Sequence, residues 1–114
     1  MKAMLTNLKR ASADIILLTL LCEGDKYGYQ MSQEIKKKTN NEFSILEGSM
    51  YTILYRLSQS GYVTYENRKV GERLTRVYYH ITDAGREHLK EMIRAYKHYV
   101  SLIDILITDD KEQL

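Results

Sequence analysis

The sequence predicts a mostly helical α+β fold, a winged helix-turn-helix with a long C-terminal dimerisation helix, and three observations carry that prediction. Apolar residues in 47–60 recur at helical spacing, the tyrosine-rich stretches after Gly61 alternate as paired strands do, and residues from 83 onward repeat in sevens. Helix, helix, helix, hairpin, helix is the order of a winged domain whose third helix enters the major groove of DNA. In that arrangement the hairpin, or wing, lies along the backbone or the minor groove.

The chain has 114 residues, 44% hydrophobic and 28% charged, with no proline or tryptophan. That length makes one domain with a modest core, small enough to gain from a partner chain. Its single cysteine, Cys22, cannot form an internal disulfide and ends an apolar run, so we expect a buried thiol in a reducing cytoplasm. No apolar stretch reaches the ~18 residues that span a bilayer, and the N-terminus lacks a signal-peptide pattern, which predicts a cytoplasmic protein with no membrane partner.

Formal net charge is only +2, but its distribution is uneven. The last eleven residues carry four acids and one lysine, a net of −3, which leaves +5 on residues 1–103. The segment RKVGERLTR alone holds four basic residues against one Glu, and local charge of this kind steers an anionic partner.

The elements are taken up in chain order. Residues 4–22 form a first helix, with Leu5 and Leu8 ahead of the dense run IILLTLL, and Gly24 closes it while Asp25 caps the second helix. That second helix spans about 27–38, placing Met31 and Ile35 inward and three lysines at its C-terminal end, where they suit the macrodipole. After the turn TNNEF, Ser44 and Glu47 have capping-box spacing for the third helix. There Met50, Ile53, Leu54 and Leu57 make the buried stripe. Thr52, Tyr55 and Gln59 take the opposite side, flanked by Ser49, Tyr51 and Arg56, with no carboxylate after Glu47.

Hydroxyls and arginine on such a face contact phosphates, and amides and hydroxyls reach base edges. In the hairpin Val63 and Tyr65 share one face of the first strand, and Val77, Tyr79 and Ile81 share one face of the second. Between and beside them Arg68, Lys69, Arg73 and Arg76 are candidate phosphate contacts. Thr82 caps the last helix, whose seam holds Leu89, Tyr96 and Ile103 with Met92 or Ile93, Tyr99 or Val100, and Leu106 or Ile107. A double-width seam of three heptads exceeds what this domain covers by itself, so we expect a second copy across a two-fold axis. Tyr96 and Tyr99 on such an axis are dimer core or a sandwich for a planar guest.

This reading divides the chain into a DNA-binding domain at 1–82, a dimerisation helix at 83–108 and an acidic tail at 109–114. Catalysis has no foundation: there is no phosphate-binding glycine loop, nucleophile motif or carboxylate pair in an apolar setting. His80, His88 and His98 lack metal-site spacing, so neither a metal nor a cofactor is expected. The alternative to DNA binding is a winged-helix module that uses the same seam and hairpin to bind another protein.

LLTLLCEGDKYGYQM, EGSMYTILYRLSQSGYV and RVYYHITDAGRE, in that order, resemble the PadR family of bacterial transcriptional regulators over about residues 5–107. The short C-terminal helix, LKRASADIILL and YTILYRL look most like the multidrug-sensing branch. The resemblance implies a homodimer whose last helix packs on the partner's first helix, involving Leu5, Leu8, Leu89, Ile93, Tyr96, Val100, Ile103 and Leu106. It also implies repression at a palindromic operator and a planar hydrophobic ligand near Ala11, Ile15, Met92, Tyr96, Tyr99 and Val100. By position, Tyr51 matches the family's recognition-helix tyrosine, Ser49 its usual threonine, Tyr78 and Tyr79 its paired wing tyrosines, Thr82 the cap and Gly85 the glycine near the start of the last helix. The chain departs from the pattern at Thr52, where proline is common. It departs also at Leu46, where a capping residue is usual and which points to a helix starting at Ser44, and in the wing, where Leu74 and Val77 are apolar.

Overall fold

The architecture was read from a computed structural model that describes the backbone of residues 2–110 and the side chains of residues 12–108. Helix α1 spans Lys2–Leu21, strand β1 Lys26–Tyr27, α2 Gly28–Lys38, α3 Glu47–Gln59, β2 Val63–Val70, β3 Leu74–Ile81 and α4 Asp83–Asp110. The strands form one antiparallel sheet in the order β1-β3-β2, so this is a winged helix-turn-helix with an added edge strand. That two-residue strand has no periodicity to read in the sequence. It exists because β3 offers it a partner, with Lys26 opposite Tyr79 and Tyr27 opposite Tyr78.

The core gathers where the helices meet the base of the hairpin. Leu17, Leu18 and Leu21 from α1, Met31 from α2, Met50, Leu54 and Leu57 from α3, and Val63 and Ile81 from the sheet are all essentially inaccessible. The apolar end of α1 is thus covered by several neighbours, and the stripe predicted for α3 faces inward with Ile53 half-buried at its edge. Two local devices set the spacing of α2 and α3. Thr39 Oγ1 donates to the Ile35 carbonyl at 2.8 Å and accepts from the Phe43 N–H at 3.1 Å. Asn40 and Asn41 take φ of 50° and 65°, which asparagine tolerates better than most residues.

Three local expectations are corrected. Helix α3 begins at Glu47 with Leu46 at the N-cap position and no side-chain cap, so Ser44 is not its cap; the buried Ile45 fixes the chain's entry instead. Asp25 does not cap α2 but turns toward the hairpin, where Arg68 and His80 lie. Cys22 is exposed, because α1 ends one residue before it and the thiol falls outside the buried run, in a groove with Leu89 and Ile93 of α4.

The hairpin register pairs Val63 with Ile81, Tyr65 with Tyr79 and Asn67 with Val77, which puts the predicted apolar positions of both strands on one face. Gly71 turns the tip at φ 79°, a conformation that glycine adopts without strain. Thr82 caps α4 as expected: its Oγ1 accepts from the Gly85 N–H at 3.0 Å and donates to the Gly61 carbonyl at 2.7 Å. The cap therefore also joins the hairpin's start to its end.

Only the first third of α4 belongs to the domain. Leu89 is 6% exposed in the chain's own core and so is not free for a partner, contrary to its place in the expected interface; Met92 and Ile93 pack at the core's edge. Beyond them the helix projects. The radius of gyration is 16.7 Å, against about 13 Å for a compact chain of this length, and the long axis measures 63 Å. Leu5, Leu8 and Ala11 lie outside the residues whose side chains are described, and residues 111–114 of the acidic tail outside the described residues altogether.

Candidate nucleic-acid interface

Helix α3 presents a polar outward face because its apolar stripe is fully consumed by the core. Ser49, Thr52, Tyr55 and Gln59 are all exposed, and Thr52 Oγ1 bonds back to the Gly48 carbonyl at 3.1 Å. The single acid of α3 itself is Glu47, in the first turn, where it complements the helix dipole.

The two flanks of α3 are held differently. On one side Tyr51 lies over Gly28 at the start of α2, so close that a Cβ on Gly28 would fall 2.6 Å from the phenolic oxygen and 2.7 Å from the ring. Any larger residue at position 28 would displace the Tyr51 ring. Tyr51 also lines a cavity of about 510 Å³ with Tyr27, Tyr29, Thr75, Arg76 and Tyr79, which fills the angle between α2, α3 and the wing. Burial pushes the Tyr79 hydroxyl above its ordinary pKa, and the neighbouring Tyr51 and Tyr65 add to this, so it remains a proton donor. On the other flank Arg56 forms a fork with Asp14 of α1, at 3.0 and 2.7 Å, and the carboxylate raises the pKa of the guanidinium.

The wing does not offer its four cations alike. Lys69 and Arg73 are exposed at the tip, as expected of phosphate contacts. Arg76 is half-buried, its guanidinium carbon 4.3 Å from the Tyr27 ring centre. Arg68 is neutralised: it bonds Asp25 Oδ2 at 2.6 Å and Glu66, and its guanidinium carbon lies 4.5 Å over the Tyr78 ring. Asp25 Oδ1 is also 2.7 Å from His80 Nδ1.

The structure thus places Ser49, Tyr51, Thr52, Tyr55 and Gln59 on one helix, with Arg76 lining the same cavity as Tyr51 and with Lys69 and Arg73 exposed at the wing tip. Arg56 and Arg68 are each engaged with carboxylates. The sequence reading missed Asp14, Gly28 and Tyr29. Asp14 had a signal, as the lone acid inside the apolar ASADIILLTLL, whereas Gly28 and Tyr29 become neighbours of the site only through packing.

The Asp25 contacts imply an acid-sensitive hairpin. The His80 hydrogen bond, and after it the Arg68 hydrogen bond, outweigh partial burial and hold the Asp25 carboxyl below the ordinary aspartate value. A depressed carboxyl contributes stability that is complete above the unfolded value and disappears as pH falls through the lower folded value. Asp25→Asn is therefore expected to cost up to about 1 kcal/mol at pH 6 and less as pH falls below the ordinary aspartate range, checked by urea unfolding across that range.

Among the described residues no His, Cys, Asp or Glu group could hold a metal ion, and no helix is long and apolar enough to cross a membrane. The geometry agrees with what the chain is similar to. Residues 17–91 match the model of the transcriptional regulator PadR-like family. An uncharacterised protein of Lysinibacillus sphaericus is 35% identical over 98 residues, covering 86% of this chain and 90% of that one. A transcriptional regulator from Clostridium thermocellum superposes with a TM-score of 0.83 at 32% identity, over 89% of this chain and 98% of that structure. Bacillus subtilis PadR, solved in complex with operator DNA, superposes with a TM-score of 0.65 at 25% identity, over 71% of this chain and 46% of that one. This chain spans under half of that protein, a negative transcriptional regulator to which it is 26% identical over 77 residues. The family and the solved structural neighbours are transcriptional regulators and not enzymes, and on the strength of the family match and the shared winged helix, this chain belongs to the PadR-like family of transcriptional regulators.

Proposed function

We propose that the chain acts as a homodimeric repressor on double-stranded DNA in the cytoplasm. The observation that carries this reading is the outward face of α3, where exposed Ser49, Thr52, Tyr55 and Gln59 have no carboxylate among them and the core needs none of them. Thr52, Tyr55 and Gln59 read base edges, Ser49 and Tyr51 bond the backbone, and Arg56, Lys69, Arg73 and Arg76 meet phosphates. Arg68 joins them only by exchanging Asp25 or Glu66 for a phosphate. Residues 1–82 are the DNA-binding part. Residues 83–108 join two copies through Tyr96, Val100, Ile103 and Leu106, with Ile93 at the margin and Leu5 and Leu8 of the partner's first helix opposite. Support comes from the exposure of Tyr96, Tyr99, Leu102, Ile103, Leu106 and Ile107 along one helix, more apolar surface than a monomer leaves in water.

Two recognition helices related by a two-fold axis about 34 Å apart match one turn of DNA and hence a palindromic operator. A planar hydrophobic ligand held by Ala11, Ile15, Met92, Tyr96, Tyr99 and Val100 would release the DNA by favouring a different spacing of the two domains. The relative solved on its operator supports the DNA part of this reading.

Fluorescence anisotropy on a duplex enriched from a randomised pool, and on a scrambled duplex, tests it at two salt concentrations. Tight binding to the first and weak, steeply salt-dependent binding to the second are expected. Arg73→Ala should weaken both and lower the salt slope by about one unit. Gln59→Ala should act on the enriched duplex alone, by ~1–3 kcal/mol. Absence of binding at either salt would instead favour a winged-helix module that binds protein.

A further inference from the structure

The side of α3 that carries Arg56 faces α1, and the contact there is more specific than surface charge pairing requires. Both terminal nitrogens of Arg56 bond the two oxygens of Asp14, across 42 positions of sequence. The Arg56 side chain nevertheless stays 57% exposed, while Asp14 is 20% exposed and sits next to the buried Ala13 on α1. A carboxylate that grips the end of a guanidinium leaves the Nε–H edge for another acceptor. That edge, with the adjoining terminal N–H, is a second fork of the shape that phosphate oxygens accept.

We infer that Asp14 is a positioning residue for DNA binding, fixing the Arg56 guanidinium so that its Nε edge meets a backbone phosphate on the α1 side of the recognition helix. This rests on the DNA-binding reading above. A long side chain that is already oriented loses less rotamer freedom when it binds, so bracing raises affinity although the carboxylate partly offsets the arginine's charge. An exposed pair of this kind adds little to the stability of the fold, which leaves orientation as its consequence. It also ties α3 to α1, so that the recognition helix follows any displacement of the first helix.

The brace can be seen without DNA. In 1H–15N relaxation the Arg56 Nε–H should report a rigid side chain, with a heteronuclear NOE near that of the helix backbone, in the wild-type chain and a mobile one in Asp14→Asn, with the melting temperature nearly unchanged. An Nε–H signal that is indifferent to position 14 overturns the proposal, whether or not the chain binds any duplex.

The second arm uses the enriched duplex of the previous subsection at low salt. Asp14→Asn should weaken binding three- to tenfold in the wild-type background and have no effect in an Arg56→Gln background. Arg56→Lys, which keeps the charge but loses the fork, should bind as weakly as Arg56→Gln. Tighter binding by Asp14→Asn would show that the carboxylate competes with phosphate. An equal effect in both backgrounds would show that it acts elsewhere, and full binding by Arg56→Lys that only charge counts; each of these overturns the proposal. Failure of the wild-type chain to enrich any duplex, with the Nε–H result intact, would sink the DNA reading and leave the brace.

Discussion

Gly85→Ala is expected to destabilise the chain by about 3 kcal/mol, a drop of roughly 10–20 °C in Tm, although alanine is the better helix former by ~1 kcal/mol. The reason lies in what the added methyl would meet. A Cβ at position 85 would stand 2.1 Å from the Tyr62 carbonyl oxygen and 2.8 Å from Ile81 Cγ1. That oxygen cannot swing away as a side chain would, because it accepts the Thr82 N–H at 3.0 Å, and Thr82 is fixed in turn by the Gly61 carbonyl and the Gly85 N–H. Relief requires α4 to lift from the end of the hairpin, breaking the cap and opening the core at Ile81 and Leu89. Thermal unfolding followed by circular dichroism reads the effect. Because propensity and packing have opposite signs, a stabilised Gly85→Ala variant would exclude this close approach.

Leu106→Glu is expected to leave the folded monomer intact and to dissolve the proposed dimer. The side chain is 62% exposed in the single chain, so a carboxylate there meets water and costs the domain almost nothing. In a symmetric seam the same substitution buries two unpaired carboxylates near one another, which costs several kcal/mol and weakens self-association at least about 100-fold. Each copy then carries one recognition helix, and the gain from tethering two half-sites is lost, so operator affinity falls by a similar or larger factor. Sedimentation velocity and anisotropy on the same samples test both statements. A variant that remains dimeric would place the seam away from Leu106.

The predicted elements were legible because their periodicities are long and unambiguous. The stripe Met50, Ile53, Leu54, Leu57 admits only a helix with that face inward, and the alternation of Val63, Tyr65, Val77, Tyr79 and Ile81 allows only a register that gathers them on one side. The candidate site was only partly legible. Exposure of Thr52, Tyr55 and Gln59 follows from the stripe, but the engagement of Arg56 and Arg68 does not. Their partners Asp14 and Asp25 lie 42 and 43 positions away, and nothing local distinguishes a paired cation from one left for phosphate. Leu89 shows the same limit in the core, since a heptad pattern cannot tell a residue that packs on its own domain from one that waits for a partner.

By itself, then, the sequence determined the order of helices and strands, the inward face of α3, the shared face of the hairpin's apolar residues, the cap at Thr82, and, through its motifs, the family. These are properties of neighbours along the chain, encoded in spacing of two, three, four and seven. The tertiary structure alone decided that β1 exists, that Tyr51 rests on Gly28, that Gly85 meets the Tyr62 carbonyl, and which arginines are already held by carboxylates. Those outcomes depend on distances between segments remote in sequence, which are fixed only when the shared core closes around Leu17, Met31, Leu54 and Ile81.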